Sequence, residues 1–284
     1  MKILVTGGVG FIGSCLVNQL VKGNDVVVLD NLSTGKKENL NPKAAFIKGD
    51  VREERDVKKA IDGCGVVFHL AAQTDVRKSL ENPDLDYQVN AVGSQNVFSA
   101  ARETNAKIIF TSSAAVYGDA KPPVKEDDAC KPISEYGKNK LHAERLLKNY
   151  EKAFIARIFN CYGPRGNSVI NTFCSQLKAG KDIAVFGNGL QTRDFIYIDD
   201  VVSALLLGMK NTGTYNVGSG HETSILNLID TVAAVSEKKP KMRFERHREG
   251  DIERSRPDVS KIQKLGWSAK IGLEKGVERV WKSV

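Results

Sequence analysis

Short runs of almost uninterrupted apolar, β-branched residues recur through the first half of the chain: KILVT (2–6), DVVVLD (25–30), AAFIKGD (44–50), GVVFHLAA (65–72), AKIIFTSS (106–113) and AFIARIF (153–159). Strands that are apolar on nearly every residue, rather than on alternate ones, are those covered by helices on both faces of a parallel sheet. Segments of helical character separate most of them, FIGSCLVNQLVK (11–22) and stretches near 53–61, 84–104 and 134–150. The alternation predicts an α/β fold built on a doubly wound parallel sheet. Past residue 160 the pattern changes. CYGPRGNS is a Gly/Pro loop and the elements after it are shorter and mixed, although TRDFIYIDDVVSALLLGM (192–209) still reads as a strand running into a helix. Two lobes are expected, a larger one over 1–160 to which about 192–211 returns, and a smaller mixed α/β lobe within 161–284.

With 284 residues, 41% of them apolar and 27% charged, the chain has the balance of a folded protein. It enters a strand pattern at its first residues, shows no targeting segment, and nowhere reaches the ~18 uninterrupted apolar residues of a membrane span. A soluble cytoplasmic protein is expected. The formal charge of +8 comes without a block of five or six consecutive cations. That favours a Lys-rich solvated surface over a nucleic-acid partner, leaving some cations free to serve a phosphate. Five scattered cysteines with no CxxC pair, and four histidines without short spacing, argue for free thiols and against a metal site.

The first candidate chemistry is Gly7-Gly8-Val9-Gly10-Phe11-Ile12-Gly13, which leaves the first strand and opens the first helix. Glycines at 7, 10 and 13 let the backbone turn tightly and approach a pyrophosphate, and the helix start supplies unpaired N–H groups. The sheet is thus expected to be a Rossmann sheet. Asp30 ends the second strand, where a carboxylate can accept both adenosine ribose hydroxyls and would repel a 2′-phosphate, so NAD is preferred over NADP. Asn31 and Ser33 follow it, and neither is basic. Asp50-Val51 stands where an adenine would lie, or else Asp50 caps the helix starting near Arg52. The second candidate is Tyr136-Gly137-Lys138-Asn139-Lys140. Tyr136 and Lys140, at i and i+4, share one helix face, and the lysine ammonium, aided by a positive nicotinamide ring, is expected to lower the tyrosine pKa and make it a general base. Thr111-Ser112-Ser113 ends a strand some twenty residues earlier, where hydroxyls face the crevice of an α/β sheet. Ser113 could relay a proton to Tyr136, or Ser112 and Ser113 could simply cap the turn.

GGVGFIG, Asp30, Asp50-Val51, HLAA at 69–72, Asn90, SSAAVYG, YGKNK, RIFNCYGPR and TRDFIYIDD occur in this order, and together they resemble the extended short-chain dehydrogenase/reductase family, most closely its UDP-glucose 4-epimerase branch. The resemblance covers nearly the whole chain. It implies that Tyr136 is the base, Lys140 its partner and a ribose ligand, and Ser113 the relay. It places Ser112, Leu70, Ala71, Ala72, Asn90 and Phe159 along the cofactor. On the substrate side it implies Asn160, Arg193 and Arg248 on the diphosphate, Asp251 on the nucleotide ribose, and Phe186 and Val169 near the base. For Asn160 a turn role, and for Arg248 a surface charge, are the alternatives. Ser255 stands where a large residue would close the sugar pocket, so N-acetylhexosamines are expected to be admitted. Asn171 replaces a proline common in the family, and the segments 150–154 and 165–173 are short. A homodimer through the helices near 84–104 and 134–150 is the family's habit.

The expected activity is NAD-dependent 4-epimerisation of UDP-glucose and UDP-galactose, and also of the UDP-GlcNAc/UDP-GalNAc pair, through a 4-keto sugar. Other nucleotide-sugar epimerases, dehydratases and reductases are alternatives, but Ser112 and Ser113 stand where dehydratases carry an Asp-Glu pair, and Ala114 and Ala115 offer no decarboxylase glutamate. A non-catalytic NAD-sensing protein is the alternative of another class.

Overall fold

In the computed structural model, residues 1–247 and 252–284 are described, so Arg248 and Asp251 lie outside the described residues. The first half alternates as its hydrophobic pattern predicts: β1 (Lys2–Thr6), α1 (Phe11–Leu20), β2 (Asp25–Asp30), β3 (Ala45–Lys48), α2 (Glu54–Ile61), β4 (Val66–His69), α3 (Val76–Glu81), α4 (Pro83–Tyr87), α5 (Gly93–Glu103), β5 (Lys107–Ser113), α6 (Glu135–Leu146) and β6 (Ala153–Ile158). The remaining elements are β7 (Asn160–Tyr162), α7 (Val169–Lys178), β8 (Ile183–Phe186), β9 (Thr192–Arg193), β10 (Phe195–Tyr197), α8 (Ile198–Leu207), β11 (Gly213–Val217), β12 (Thr223–Ser224), α9 (Ile225–Ser236), β13 (Met242–Glu245), α10 (Ser260–Gln263) and α11 (Leu273–Ser283).

Seven strands form the main sheet in the order β11-β6-β5-β4-β1-β2-β3. The ladders β1/β2, β1/β4, β2/β3 and β4/β5 are parallel, and the reversal between β1 and β4 is the switch point of a doubly wound fold. Leu4, Val67, Ile108 and Phe110 bury completely on one face against Val57 of α2 and Val97 and Phe98 of α5.

Two features depart from the sequence pattern. The stretch near 84–104 is not one helix: Pro83 opens α4 with Asn82 capping Leu85, and a π-helical turn over Gln88–Val92 precedes α5. Wide turns of this kind re-aim side chains and often sit at functional sites. Nor does 192–197 return to the main sheet. β10 pairs with β7 in a small parallel sheet, and the seventh main strand is β11.

The chain divides into two compact units. One comprises Met1–Gly118, Cys130–Arg157 and Val202–Tyr215; the other comprises Asp119–Ala129, Ile158–Val201 and Asn216–Val284. The segment that crosses back is thus 202–215. In the second unit, Tyr162 meets Phe195 and Tyr197 edge to face, and Gly276 makes room for it, since a Cβ there would lie 2.1 Å from the Tyr162 hydroxyl. No described helix is long and apolar enough to cross a membrane.

Candidate active site

The glycine turn is tight for steric reasons. Gly7 has φ +70, a Cβ on it would lie 2.7 Å from the Ala71 nitrogen, and a Cβ on Gly13 would lie 2.1 Å from the Gly7 carbonyl oxygen. Gly10 is the N-cap of α1 and has no side chain to cap with, so the N–H groups of Phe11 and Ile12 are left for a ligand. Gly13→Ala is expected to abolish NAD binding in calorimetry while the purified protein stays folded by circular dichroism; wild-type affinity would show that the turn does not carry the pyrophosphate.

Asp30 is 8% exposed and accepts from the backbone N–H of Val9 and of Leu32 at 3.2 and 2.8 Å. These bonds aim the carboxylate and leave lone pairs for hydroxyl donors. Asn31 accepts from the Ser33 N–H and donates to Asp50 at 2.8 Å, so Asp30, Asn31, Ser33 and Asp50 gather at the ends of β2 and β3. Asp50 does not cap α2, whose N-cap is Glu53. Partial burial pushes its carboxyl up, but the hydrogen bonds and charge of Arg52, with the Asn31 amide, pull it down to about 2. Val51 is buried and packs where a Cβ on Gly93 would fall 2.7 Å from its methyl.

Ser134 caps α6 by accepting from the Gly137 N–H at 3.1 Å, which sets Tyr136 in the first turn of the helix. Lys140 is 2% exposed, donates to the Thr111 carbonyl at 3.1 Å, and lies 4.9 Å from the Phe110 ring and 5.9 Å from the Tyr136 ring. Ser113 sits at the end of β5, half-buried, and accepts from the Ala115 N–H at 3.2 Å, so it caps the turn while staying beside Tyr136. Successive strand residues face opposite ways. Ser112 accordingly turns its hydroxyl inward to Glu144, away from the side of Ser113.

The expected lowering of the Tyr136 pKa does not come from the chain's own charges. Burial pushes the phenol up to about 12; the Ser113 hydroxyl pulls it back and the Asp86 charge pushes it further up. Burial likewise brings Lys140 down to about 8 against the pull of Asp86 and Glu144. Desolvation penalises both charged forms and is the largest influence on each.

Residues to which the sequence pattern assigns no role hold this arrangement. Thr6 accepts from the Leu70 and Ala71 N–H groups, so its own proton goes to His69 Nδ1 at 2.7 Å. His69 then carries its proton on Nε2 and donates to Ser94 at 3.0 Å, and Ser94 donates to the Asn90 carbonyl at 2.6 Å. The ring is fully buried, which holds its pKa down to about 3, with the Lys140 charge adding to the effect. This relay fixes Leu70 and Ala71 under the glycine turn and Asn90 in the π-helical turn. Asn90 donates to Gln73 and Asp86, yet among the described residues nothing donates to its buried Oδ1. An orphan acceptor there, and a glycine turn that any Cβ would fill, both suit a bound dinucleotide. Helical spacing from Tyr136 also reaches Glu144 at i+8, which is the one signal for it that the sequence holds.

The second unit carries the remaining candidates. Asn160, half-buried on β7, donates through both its backbone and side-chain amide to the Asp194 carbonyl at 3.1 and 3.0 Å. Arg193, next in sequence to Asp194, donates to the Ile252 carbonyl at 2.6 Å. Asn160 thus lies against the backbone of the residue after Arg193, whose side chain is turned to Ile252. Phe159 is buried and donates to Val217; Val169 opens α7; Phe186 ends β8, and its carbonyl accepts from Gln191. Ser255 is half-buried between Arg254 and Arg256, both paired with Glu222. Among the described residues no group of His, Cys, Asp and Glu could hold a metal ion.

A sequence model of the NAD dependent epimerase/dehydratase family matches residues 3–218. A Methanocaldococcus jannaschii protein provisionally named UDP-glucose 4-epimerase is 39% identical over 294 residues, spanning 98% of this chain and 96% of the relative. UDP-glucuronic acid decarboxylase 1 of Arabidopsis thaliana is 34% identical, spanning 99% of this chain and 69% of its own. Among solved structures, the UDP-glucose 4-epimerase of Thermotoga maritima with UDP-glucose superposes with a TM-score of 0.95 at 34% identity, covering 100% of this chain and 98% of the other. The chain belongs to the NAD-dependent epimerase/dehydratase family, and NAD is its cofactor.

Proposed function

We propose that this enzyme is a cytoplasmic UDP-hexose 4-epimerase that interconverts UDP-glucose and UDP-galactose and also accepts UDP-GlcNAc and UDP-GalNAc. The observation that carries the reading is the group Ser113, Tyr136 and Lys140 at the end of β5 and the start of α6, followed by Ala114 and Ala115 and no acid. Tyr136 takes the proton of the sugar C4 hydroxyl through Ser113, and Lys140 holds its positive charge beside the phenolate that results. NAD⁺, when bound, supplies the hydride acceptor and donor and a further positive charge near the phenol. Gly7, Gly10, Phe11, Ile12 and Gly13 would hold its pyrophosphate, Asp30 its adenosine ribose and Asn90 its inner side. Tyr136 returns the proton once the 4-keto sugar has presented its other face. No acid is needed beyond these groups, because nothing is eliminated.

Asn160 and Arg193 serve the diphosphate in this reading, and Ser255 leaves room for an N-acetyl group. Exposed Val76, Leu80, Leu85 and Tyr87 on α3 and α4 support the homodimer that the resemblance implies, which sedimentation would test. The similarity to a UDP-glucuronic acid decarboxylase favours a second reading, in which C5 loses its carboxylate after the same oxidation. Incubation with UDP-glucose, UDP-GlcNAc and UDP-glucuronate decides between them. The expected result is the C4 epimer from the first two; release of CO2 from the third, with no epimer from the others, would replace the epimerase by the decarboxylase. No turnover of UDP-GlcNAc beside good turnover of UDP-glucose would reject the role given to Ser255.

A further inference from the structure

Lys140 has to be an ammonium in a place with almost no water, and burial alone would strip its proton. Two carboxylates act on it, Glu144 and Asp86. Glu144, one turn further along α6, is claimed by Arg157, whose guanidinium reaches it at 2.7 Å. Asp86 has no such partner. It is fully buried; one oxygen accepts from Gln73 and Asn90 at 2.8 and 3.0 Å, and the other from Asn139 at 2.8 Å. All three are neutral amides, and among the described residues no ammonium or guanidinium forms an ion pair with it. Surroundings made only of donors suit a carboxylate, which can only accept. Asn139 follows Tyr136 by three residues and precedes Lys140 by one, so its bond ties Asp86 to the stretch of α6 that carries both.

We propose that Asp86 is a positioning residue of the site, the counter-charge that keeps Lys140 an ammonium. The same negative charge opposes ionisation of Tyr136, which is a phenol in the protein alone; a bound dinucleotide would bring the positive charge to offset it. The groups facing this pair are Tyr136 and Glu144 from α6 and His69 from β4, which stays neutral beside Lys140. Arg157 of β6 is held by Glu144, and Arg77 and Lys78 of α3 are exposed to solvent. The assignment rests on the epimerase reading for the reaction it serves, and not for the electrostatics.

The sign follows directly. Removing a negative charge destabilises an ammonium and relieves a phenolate, so both pKa values fall. The test is the Lys140 titration in the full-length protein, with and without NAD⁺, by NMR of 13C-labelled lysine, its signal assigned with Lys140→Met. In the wild type without NAD⁺ it is expected near 8. In Asp86→Asn and Asp86→Ser it is expected about one pH unit or more lower, a tenfold loss of proton affinity, and either variant that folds gives the reading. Asp86→Asn/Asn139→Asp, which moves the carboxylate across the same hydrogen bond, is expected to restore it. The alkaline limb of the UDP-glucose pH profile should move down with the lysine. A titration unchanged in the neutral variants, or lowered and not restored by the swap, overturns the assignment. Failure of the epimerase reading would show instead as absent turnover beside a normally titrating lysine.

Discussion

Tyr136→Phe is expected to lower kcat for UDP-glucose epimerisation by about 10³-fold, within the 10²–10⁴ range that a positioned acid–base group contributes, and to leave NAD binding near its wild-type value. The substitution removes one hydroxyl and keeps the ring, which is 9% exposed and packs beside the Lys140 ammonium at 5.9 Å. The phenol is the only group of the trio that can both take and return the C4 proton, since the Ser113 hydroxyl relays it and Lys140 holds charge. Burial first, and then Asp86, keep the phenol near 12 in the protein alone, so base strength has to come from the bound cofactor's charge together with Lys140. Stopped turnover beside intact NAD affinity measured by calorimetry is the supporting result. More than a tenth of wild-type kcat in the variant would remove Tyr136 from the mechanism.

Arg157→Met is expected to lower stability by about 3–5 kcal/mol, because removing one partner of a buried ion pair leaves the other charge uncompensated. At about 2–4 °C per kcal/mol for a chain of this class, the melting midpoint should fall by roughly 10 °C. The side chains of Arg157 and Glu144 are 8% and 6% exposed, and the guanidinium donates to both carboxylate oxygens at 2.7–3.2 Å and to the Tyr117 hydroxyl at 2.9 Å. Burial works against the guanidinium's charge, yet Glu144 outweighs it and holds its pKa above the ordinary value. Glu144 also accepts from Ser112, so the pair anchors the strand end that presents Ser113. Glu144→Gln with Arg157→Met removes both charges and still offers Ser112 an acceptor. It is expected to recover more than half of the loss in a thermal melt. A single variant melting with the wild type would show that water or another cation reaches Glu144.

What local pattern can encode is legible in the order of the residues. β1 and β2 fall on KILVT and DVVVLD because an apolar, β-branched run covered on both faces has no other stable use in a chain of this composition. The glycines of the first turn and the spacing of Tyr136 and Lys140 are equally readable, since steric freedom and helix periodicity act within a few residues. The π-helical turn at 88–92 and the placing of β11 at the sheet edge are not, because both are fixed by packing against distant segments. The same applies to single side chains. By its neighbours in sequence Asp50 suits a helix cap and an adenine contact equally well; the fold puts Arg52 and Asn31 on its carboxylate and makes Glu53, which forms no side-chain cap bond, the N-cap position. Ser112 and Ser113 look like partners in sequence, and the pleat of β5 turns the first toward Glu144.

The charges around Tyr136 show where the division lies. Residue order is enough to put a tyrosine and a lysine on one helix face behind a dinucleotide turn. Folding alone ties Asp86 to that helix through Asn139, 53 residues later in the chain, and gives Glu144 to Arg157. Periodicity and turn sterics are short-range properties of the chain. The proton affinity of a buried group depends on every charge and dipole that folding brings near it, and on the water that folding takes away.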